Sequence, residues 1–273
     1  MDDWAAAGDR QIGALEKLVG QGTERDRMSV IAACTKARNG YPHAAGTAAF
    51  AAANGDWPLT RWIAVEVHKR KCQETADPVN GQLPLIVGIT GPQGCGKTTL
   101  CASLLAGLGA LSVKAAAASM DDFYLPTKLL PPVILGGETS PRTKLPCRGP
   151  PGTHDLTLCR GVLQCIKERK PNILLPKYDK SQMNGTGDRS SEEVPLDATD
   201  LDVFLLEGWM LGFRHVDPSV LADWSASEQQ QELHQINESL KVYEPLYELI
   251  DLWLIVKVET PTWVYRWRRQ QEE

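Results

Sequence analysis

Uninterrupted apolar runs along the chain predict buried strands. Residues 85–90, 203–206 and 252–258 lack the alternation of a half-exposed strand, a pattern typical of parallel strands covered on both faces. Residues 112–120 predict a further strand, although the alanines in this segment are poor strand formers. Residues 173–175 predict a short strand before a polar, turn-rich segment.

Between these runs, apolar positions recur at helical spacing. Helices are predicted at residues 100–105 and 156–170, and a capping box of Ser225 and Glu228 predicts the start of another. The apolar face of this last helix consists of Leu233, Ile236, Leu240, Tyr243 and Tyr247. We interpret its two tyrosines as core packing. Pro261 predicts the first turn of a final helix.

Residues 1–81 predict an N-terminal helical region. Residues 11–19 and 60–69 carry apolar positions at helical spacing, and the alanine-rich residues 44–53 are compatible with a short helix or with a linker. We therefore divide the chain into this region and a second domain over residues 82–273. In the second domain strands alternate with helices, which indicates an α/β fold with a doubly wound parallel sheet and a ligand at the carboxyl ends of its strands.

Composition and charge exclude several classes of protein. The chain has 273 residues and a formal net charge of -5, which argues against a nucleic-acid-binding surface built on basic patches. No apolar run is long enough to span a bilayer, so no membrane partner is expected. The acidic start of the sequence resembles neither a signal peptide nor a transit peptide, which favours a cytoplasmic protein, or a chloroplast protein if the N-terminus is incomplete. A monomer is the default expectation.

One glycine-rich segment predicts the chemistry. After the first strand come Gly91, four residues, and then Gly96, Lys97 and Thr98, directly before a helix. Glycines allow the backbone to bring successive N–H groups close to phosphate oxygens, and the helix N-terminus favours the same anion. We expect a P-loop that binds ATP through Gly91, Pro92, Gln93, Gly94, Cys95, Gly96, Lys97, Thr98 and Thr99.

Carboxylates follow two of the predicted strands. Asp121 and Asp122 come after the second strand, and Glu207 comes directly after residues 203–206. Phosphoryl transfer needs Mg²⁺ on the phosphates, a carboxylate to accept a proton and positive charge near the transferring group. We predict Lys97, Asp121 and Glu207 as catalytic residues, with Asp121 as the base, and Thr98, Asp121 and Glu207 as magnesium ligands. The alternative for the aspartate pair is a capping or solvated turn.

Basic residues lie around two long loops. Residues 126–151 are rich in Pro and Gly, and residues 181–199 are polar; loops of this length are usually functional or disordered. Arg148 lies near the end of the first loop and Arg189 lies within the second. Such residues suit a small anionic acceptor, because Arg holds a carboxylate with a planar two-donor fork. A solvated surface residue is the alternative for each of them.

The chain resembles the plant- and fungal-type D-glycerate 3-kinases, which are related to phosphoribulokinase, uridine kinase and pantothenate kinase. The resemblance covers roughly residues 83–270, and the blocks Glu207-Gly208-Trp209-Met210 and Thr153-His154-Asp155 are more specific than the P-loop alone. The matching segments are residues 91–99, 120–125, 148–149, 152–156, 176–181, 187–189, 206–213 and 264–268. The resemblance implies a P-loop NTP hydrolase-type fold. It also implies transfer of the ATP γ-phosphate to the 3-hydroxyl of D-glycerate, which in plants closes photorespiration.

The resemblance also implies a set of substrate contacts. Arg148, His154, Tyr178 and Arg189 would face glycerate together with Asp122 and Tyr124, and Arg266 and Arg268 would begin a lid over ATP. Because the family continues beyond the arginine-rich helix, we expect the sequence ending at Glu273 to be truncated or to be a short form with impaired closure. Two alternatives therefore stand beside the glycerate kinase: a kinase for a nucleoside or pantothenate-like alcohol, and an ATP-binding protein without turnover.

Overall fold

The central element of the fold is a five-stranded parallel sheet. The computed structural model describes residues 29–33, 58–73, 83–130, 148–221, 227–258, 260 and 262–265. Its strands are β1 (Ser29–Ala33), β2 (Leu85–Thr90), β3 (Ala115–Ser119), β8 (Val203–Gly208) and β9 (Leu252–Lys257). The order across the sheet is β1–β9–β2–β8–β3. The doubly wound parallel α/β sheet predicted from the sequence is confirmed.

Helices cover both faces of this sheet. The longer ones are α1 (Pro58–Gln73), α2 (Lys97–Ala110), α3 (Leu156–Lys167) and α6 (Ser227–Leu240), and the short ones are α4 (Gln182–Gly185), α5 (Pro218–Leu221) and α7 (Glu244–Tyr247). α1 and α2 pack on one face against side chains such as Val87 and Leu205. α3 and residues 240–250, from the end of α6 through α7, pack on the other face, against Ile86 and Phe204. Successive residues of β2 and β8 therefore enter different cores, which explains their uninterrupted apolar sequences.

Four predicted strands form close to their predicted positions in the sheet. β2 has the predicted bounds, β8 extends two residues further, and β3 and β9 are slightly shorter than predicted. The predicted helix at residues 60–69 lies within α1. The predictions for residues 11–19, residues 44–53 and Ser225 lie outside the described residues, and the domain division after residue 81 stays a prediction.

Two predictions about local structure were wrong. Residues 29–33, within the region predicted as helical, form the edge strand β1, which pairs in parallel with β9. The segment predicted as a loop at 181–199 contains two short strands, each paired with a strand that precedes the segment. β4 (Ile173–Leu175) pairs antiparallel with β7 (Val194–Leu196), and β5 (Tyr178–Asp179) pairs antiparallel with β6 (Asp188–Arg189).

The apolar stripe predicted as one helix is divided into three parts. α6 ends at Leu240, a 3₁₀ turn covers Lys241–Tyr243, and α7 follows. Pro245 lies in the first turn of α7, where its missing N–H costs least, but it cannot donate a hydrogen bond to the preceding turn. Leu240, Tyr243 and Tyr247 are nevertheless all buried in the core, as the spacing predicted.

Candidate active site

The P-loop connects β2 to α2 at the carboxyl edge of the sheet. Gly96 caps α2 in the left-handed region with φ 88°, and no side chain caps this helix. A β-carbon on Gly91 would lie 2.8 Å from Cβ of Val256 in β9, so only glycine fits where the loop leaves the sheet. The first N–H groups of α2 are therefore directed out of the loop without a side-chain acceptor, which is the arrangement that binds phosphate.

Lys97 is buried beneath this loop. Its Nζ donates hydrogen bonds of 2.9 Å to the carbonyl oxygens of both Gly91 and Pro92. Lys97 is only 8% exposed, and these two bonds hold its ammonium group at the loop rather than in solvent. A positive charge in this position can act on phosphate oxygens bound by the loop.

Glu207 lies between the P-loop and the next strand. The register pairs Glu207 of β8 with Ile89 of β2 on one side and with Ser119 of β3 on the other. The Thr98 hydroxyl donates a hydrogen bond of 3.0 Å to Oε1 of Glu207. Burial raises the pKa of the Glu207 carboxyl above its usual 4.5, and the nearby charge of Lys97 opposes that rise.

Replacing Glu207 with glutamine is expected to change how stability depends on pH. Because the folded-state pKa of Glu207 is raised above 4.5, the folded protein holds the proton that the unfolded chain releases. The free energy of unfolding of the wild-type chain should therefore fall as pH rises from 4.5 through the folded-state pKa. In Glu207→Gln this contribution should be absent.

Urea denaturation at several pH values measures this difference. Glu192→Gln is the matched control, since Glu192 lies 78% exposed at 3.6 Å from Lys177 and should leave the wild-type slope unchanged. If the free energy of unfolding fell with pH equally in Glu207→Gln and in wild type, the raised pKa would not belong to Glu207.

Asp121 and Asp122 follow β3 but have different surroundings. They lie in a 3₁₀ turn, Met120–Phe123, that Ser119 caps. The carboxylate of Asp122 accepts the backbone N–H of Ser119 at 3.1 Å and that of Tyr178 at 3.0 Å, so it fastens the turn to β5. The charge of Asp121 instead acts on Glu207 and Tyr124, where it raises the pKa of both groups beyond the effect of burial. The carboxylate of Asp122 thus holds the turn in place, whereas that of Asp121 interacts with Tyr124 of the neighbouring ring cluster.

Three aromatic rings form a wall next to Asp121. Tyr124 stacks on His154 with ring centroids 4.5 Å apart, and Tyr178 meets Tyr124 edge-on at 5.4 Å. A single antiparallel β-bridge joins the backbones of Tyr124 and His154 and fixes the stack. The structure therefore brings together three of the residues predicted to face the substrate.

The two predicted arginines take different roles. Arg148 stacks over the Tyr178 ring at 5.3 Å and forms a 2.9 Å ion pair with Asp188. It therefore belongs to the aromatic wall. Arg189 donates 2.8 Å and 3.1 Å hydrogen bonds to the Tyr124 carbonyl and a 3.2 Å ion pair to Asp155, the N-cap of α3. It ties the wall to a helix and lies behind the site.

Sequence reasoning missed two residues here. Asp188, whose carboxylate accepts hydrogen bonds from Thr127 as well as Arg148, lies in a segment whose polar sequence predicts only a loop. Tyr243 was interpreted as core packing only, but its hydroxyl lies 2.8 Å from Nδ1 of His154. Helical spacing indicates which face a tyrosine occupies and carries no signal for the partner of its hydroxyl.

Comparisons with known proteins identify the family. No protein-family model matches the chain. An "uncharacterized kinase" of Schizosaccharomyces pombe is 34% identical over 196 residues, which cover 69% of this chain and 70% of that protein. The solved structure of D-glycerate 3-kinase from Cryptococcus neoformans has a TM-score of 0.62 at 31% identity and covers 79% of this chain and 78% of that one. The chain belongs to the D-glycerate 3-kinase family.

A plant member of the D-glycerate 3-kinase family is also similar. The protein named "D-glycerate 3-kinase, chloroplastic" from Arabidopsis thaliana is 36% identical over 200 residues, which cover 69% of this chain. The chain spans 41% of the length of that relative. The resemblance predicted from the sequence is therefore confirmed, and with it the P-loop kinase fold.

Some predicted features of a D-glycerate 3-kinase family site lie beyond the described part of the chain. Arg266 and Arg268, predicted to begin the lid, are outside it. Within the described ranges no three His, Cys, Asp or Glu side chains are grouped as a metal site. No helix among the same residues has the length and apolar character needed to cross a bilayer. The oxygen groups of Thr98, Glu207 and Asp121 are nevertheless the hard donors that suit Mg²⁺ bridging to a nucleotide.

Proposed function

We propose that the chain is an ATP-dependent kinase that transfers the γ-phosphate of ATP to the 3-hydroxyl of D-glycerate. The observation that carries this proposal is the pairing of β3 with β8. Because Ser119 lies beside Glu207, the turn that holds Asp121 begins directly next to the Thr98–Glu207 hydrogen bond. The P-loop and the aromatic wall thus meet at one edge of the sheet, which supports transfer of phosphate from a nucleotide on the loop to an acceptor at the wall.

The nucleotide side of the site supports binding of ATP with Mg²⁺. The α2 N-terminus would receive the phosphates, and Lys97 would lie next to their β- and γ-oxygens. Thr98, Glu207 and Asp121 would hold Mg²⁺, which when bound neutralises charge on the phosphate oxygens. Burial of Glu207 makes this carboxylate depend on neighbouring positive charge, which suits a metal-linked role.

The acceptor side supports a small hydroxy acid. The 3-hydroxyl oxygen of glycerate would form the new bond to the γ-phosphorus while the bond to the bridging oxygen of ADP breaks. Asp121 would receive the hydroxyl proton, since its carboxylate lies beside Glu207 and is not used in the turn as that of Asp122 is. Arg148 would attract the glycerate carboxylate across the Tyr178 ring.

Release of ADP by the purified chain tests the proposed function. The assay contains ATP, Mg²⁺ and D-glycerate, with L-glycerate, a nucleoside, pantothenate and no acceptor as parallel reactions. We expect turnover that depends on D-glycerate. ADP release that depends on another alcohol would overturn the acceptor, and ATP binding without turnover with any of them would overturn the kinase.

Replacing Arg148 with alanine is expected to raise KM for the acceptor by about 10- to 100-fold, with a smaller effect on KM for ATP. The guanidinium is a charged partner near the wall, and hydrogen bonds to charged groups contribute about 1.5–3 kcal/mol. Steady-state kinetics with each substrate varied in turn measures the effect. Arg160→Ala on the exposed side of α3 is the matched control. An effect confined to ATP would move Arg148 to the nucleotide side.

A further inference from the structure

His154 has one ring nitrogen bound and the other without a partner. The ring lies against Tyr124, and the residue is only 5% exposed. Nδ1 lies 2.8 Å from the Tyr243 hydroxyl, whereas Nε2 is buried and has no hydrogen-bond partner in the described part of the chain. An unpartnered buried nitrogen is costly, so it indicates an atom that a ligand supplies.

The surroundings of Tyr243 determine which nitrogen carries the proton. The Tyr243 oxygen accepts the backbone N–H of Gly152 at 3.0 Å. Burial raises the pKa of the Tyr243 hydroxyl, and backbone hydrogen bonds from Gly152 and His154 oppose that rise, so both stabilise its oxygen as an acceptor. Tyr243 is fully buried, and its hydroxyl has a single hydrogen to donate. Among the described residues Nδ1 of His154 is the acceptor placed to receive that hydrogen. In a neutral ring the proton must then be on Nε2.

We propose that Tyr243 is a positioning residue that fixes His154 as the tautomer with its proton on Nε2, so that this N–H donates to an oxygen of the acceptor substrate. The identity of that acceptor, a small hydroxy acid, rests on the proposed function. The His154 ring stacks on Tyr124, which contacts Tyr178, and Arg148 lies over the Tyr178 ring, so the donor belongs to the same wall. Tyr124 in turn faces Asp121, so the donor and the base share one neighbour.

The electrostatic surroundings agree with a neutral donor. Burial lowers the pKa of His154 to about 3, so the ring carries no charge at neutral pH. His154 therefore provides a directional hydrogen-bond donor without a charge, and Arg148 is the cation of the wall. A buried donor that must be matched by an oxygen gives stronger discrimination between substrates than an apolar pocket does.

Nitrogen NMR of the chain labelled with ¹⁵N-histidine tests the tautomer directly. The signal lost in His154→Gln assigns the residue. We expect the wild-type ring to show protonated Nε2 and bare Nδ1, and Tyr243→Phe to lose this preference. Tyr247→Phe is the matched control, because the Tyr247 hydroxyl is buried in the same stripe and makes no hydrogen bond to His154. A wild-type ring protonated on Nδ1 would overturn the proposal without any variant having to fold.

Kinetics test the use of this donor. Tyr243→Phe should raise KM for D-glycerate about three- to tenfold, the range for one neutral hydrogen bond, while KM for ATP stays close to that of Tyr247→Phe. His154→Gln, whose amide nitrogen replaces Nε2, should retain more acceptor affinity than His154→Asn, whose amide replaces Nδ1. Equal KM values for the two His154 variants would overturn the donor role.

The two proposals fail in different ways. A wild-type chain with the Nε2 tautomer but no turnover of D-glycerate would overturn the acceptor and leave the assignment of the donor in place. Turnover of D-glycerate by a chain with the Nδ1 tautomer would do the reverse.

Discussion

Replacing Asp121 with asparagine is expected to lower kcat by about 10²–10⁴-fold, the range that a positioned general base contributes. Asparagine has nearly the same shape but cannot accept the hydroxyl proton. The backbone N–H of Asp121 would still donate to the Ser119 hydroxyl at 3.2 Å, so the turn should be preserved. Steady-state turnover measures kcat, and isothermal titration should show ATP binding close to that of wild type.

The neighbouring Asp122→Asn is the matched control. Both carboxylate oxygens of Asp122 accept backbone N–H groups, and an amide would direct its own N–H atoms at one of them. Its expected effect is on stability, a loss of about 1–3 kcal/mol in the free energy of unfolding. Substantial kcat in Asp121→Asn, or a larger loss of kcat in a folded Asp122→Asn, would contradict the assignment of the base.

Replacing Asp251 with alanine is expected to lower the free energy of unfolding by about 3 kcal/mol, as for other buried ion pairs that lose one partner. Asp251 lies before β9, with its side chain 10% exposed, and pairs with Arg70 of α1 at 2.8 Å and with Lys167 of α3 at 2.5 Å. It also accepts the backbone N–H of Ile86 at 2.8 Å. One carboxylate thus links helices from both faces of the sheet to its amino edge.

Asp200→Ala is the control for this prediction. Its ion pair with Lys114 has a similar length, 2.9 Å, but both side chains are more than half exposed. An exposed pair contributes less than about 1 kcal/mol. Urea denaturation of the three proteins measures the difference, and equal losses in the two variants would show that Asp251 does not have the role of a buried link.

The parts of the fold that the sequence predicted are those that local pattern determines. The P-loop combines a spacing of glycines with a strand before it and a helix after it, so both identity and position follow from one short segment. Asp121 and Glu207 could be assigned to one edge because parallel strands place their carboxyl ends together. The family resemblance implied Tyr124, His154 and Tyr178 as separate substrate contacts, and the structure brings their rings together.

The remaining parts depend on contacts between distant segments. Strand β5 has only two residues. Besides pairing with β6, it donates the backbone N–H of Tyr178 to Asp122, a residue distant in sequence. β1 is a strand that pairs with the outer edge of β9. The local sequence of β1 carries no signal for this long-range pairing. Asp122 and Arg189 are polar residues in motif segments, yet their bonds to backbone groups show that they support the site from behind.

The strand order has a consequence for how the chain is made. β2 lies between β8 and β9, and both neighbours come much later in the sequence. During synthesis the apolar β2 therefore leaves the ribosome with neither of its edges paired. Its neighbour β8 begins only at Val203 and its other neighbour β9 only at Leu252. Such long-range pairing folds slowly and exposes edges that aggregate. We expect the newly made chain to depend on chaperones more than a protein whose neighbouring strands follow each other directly.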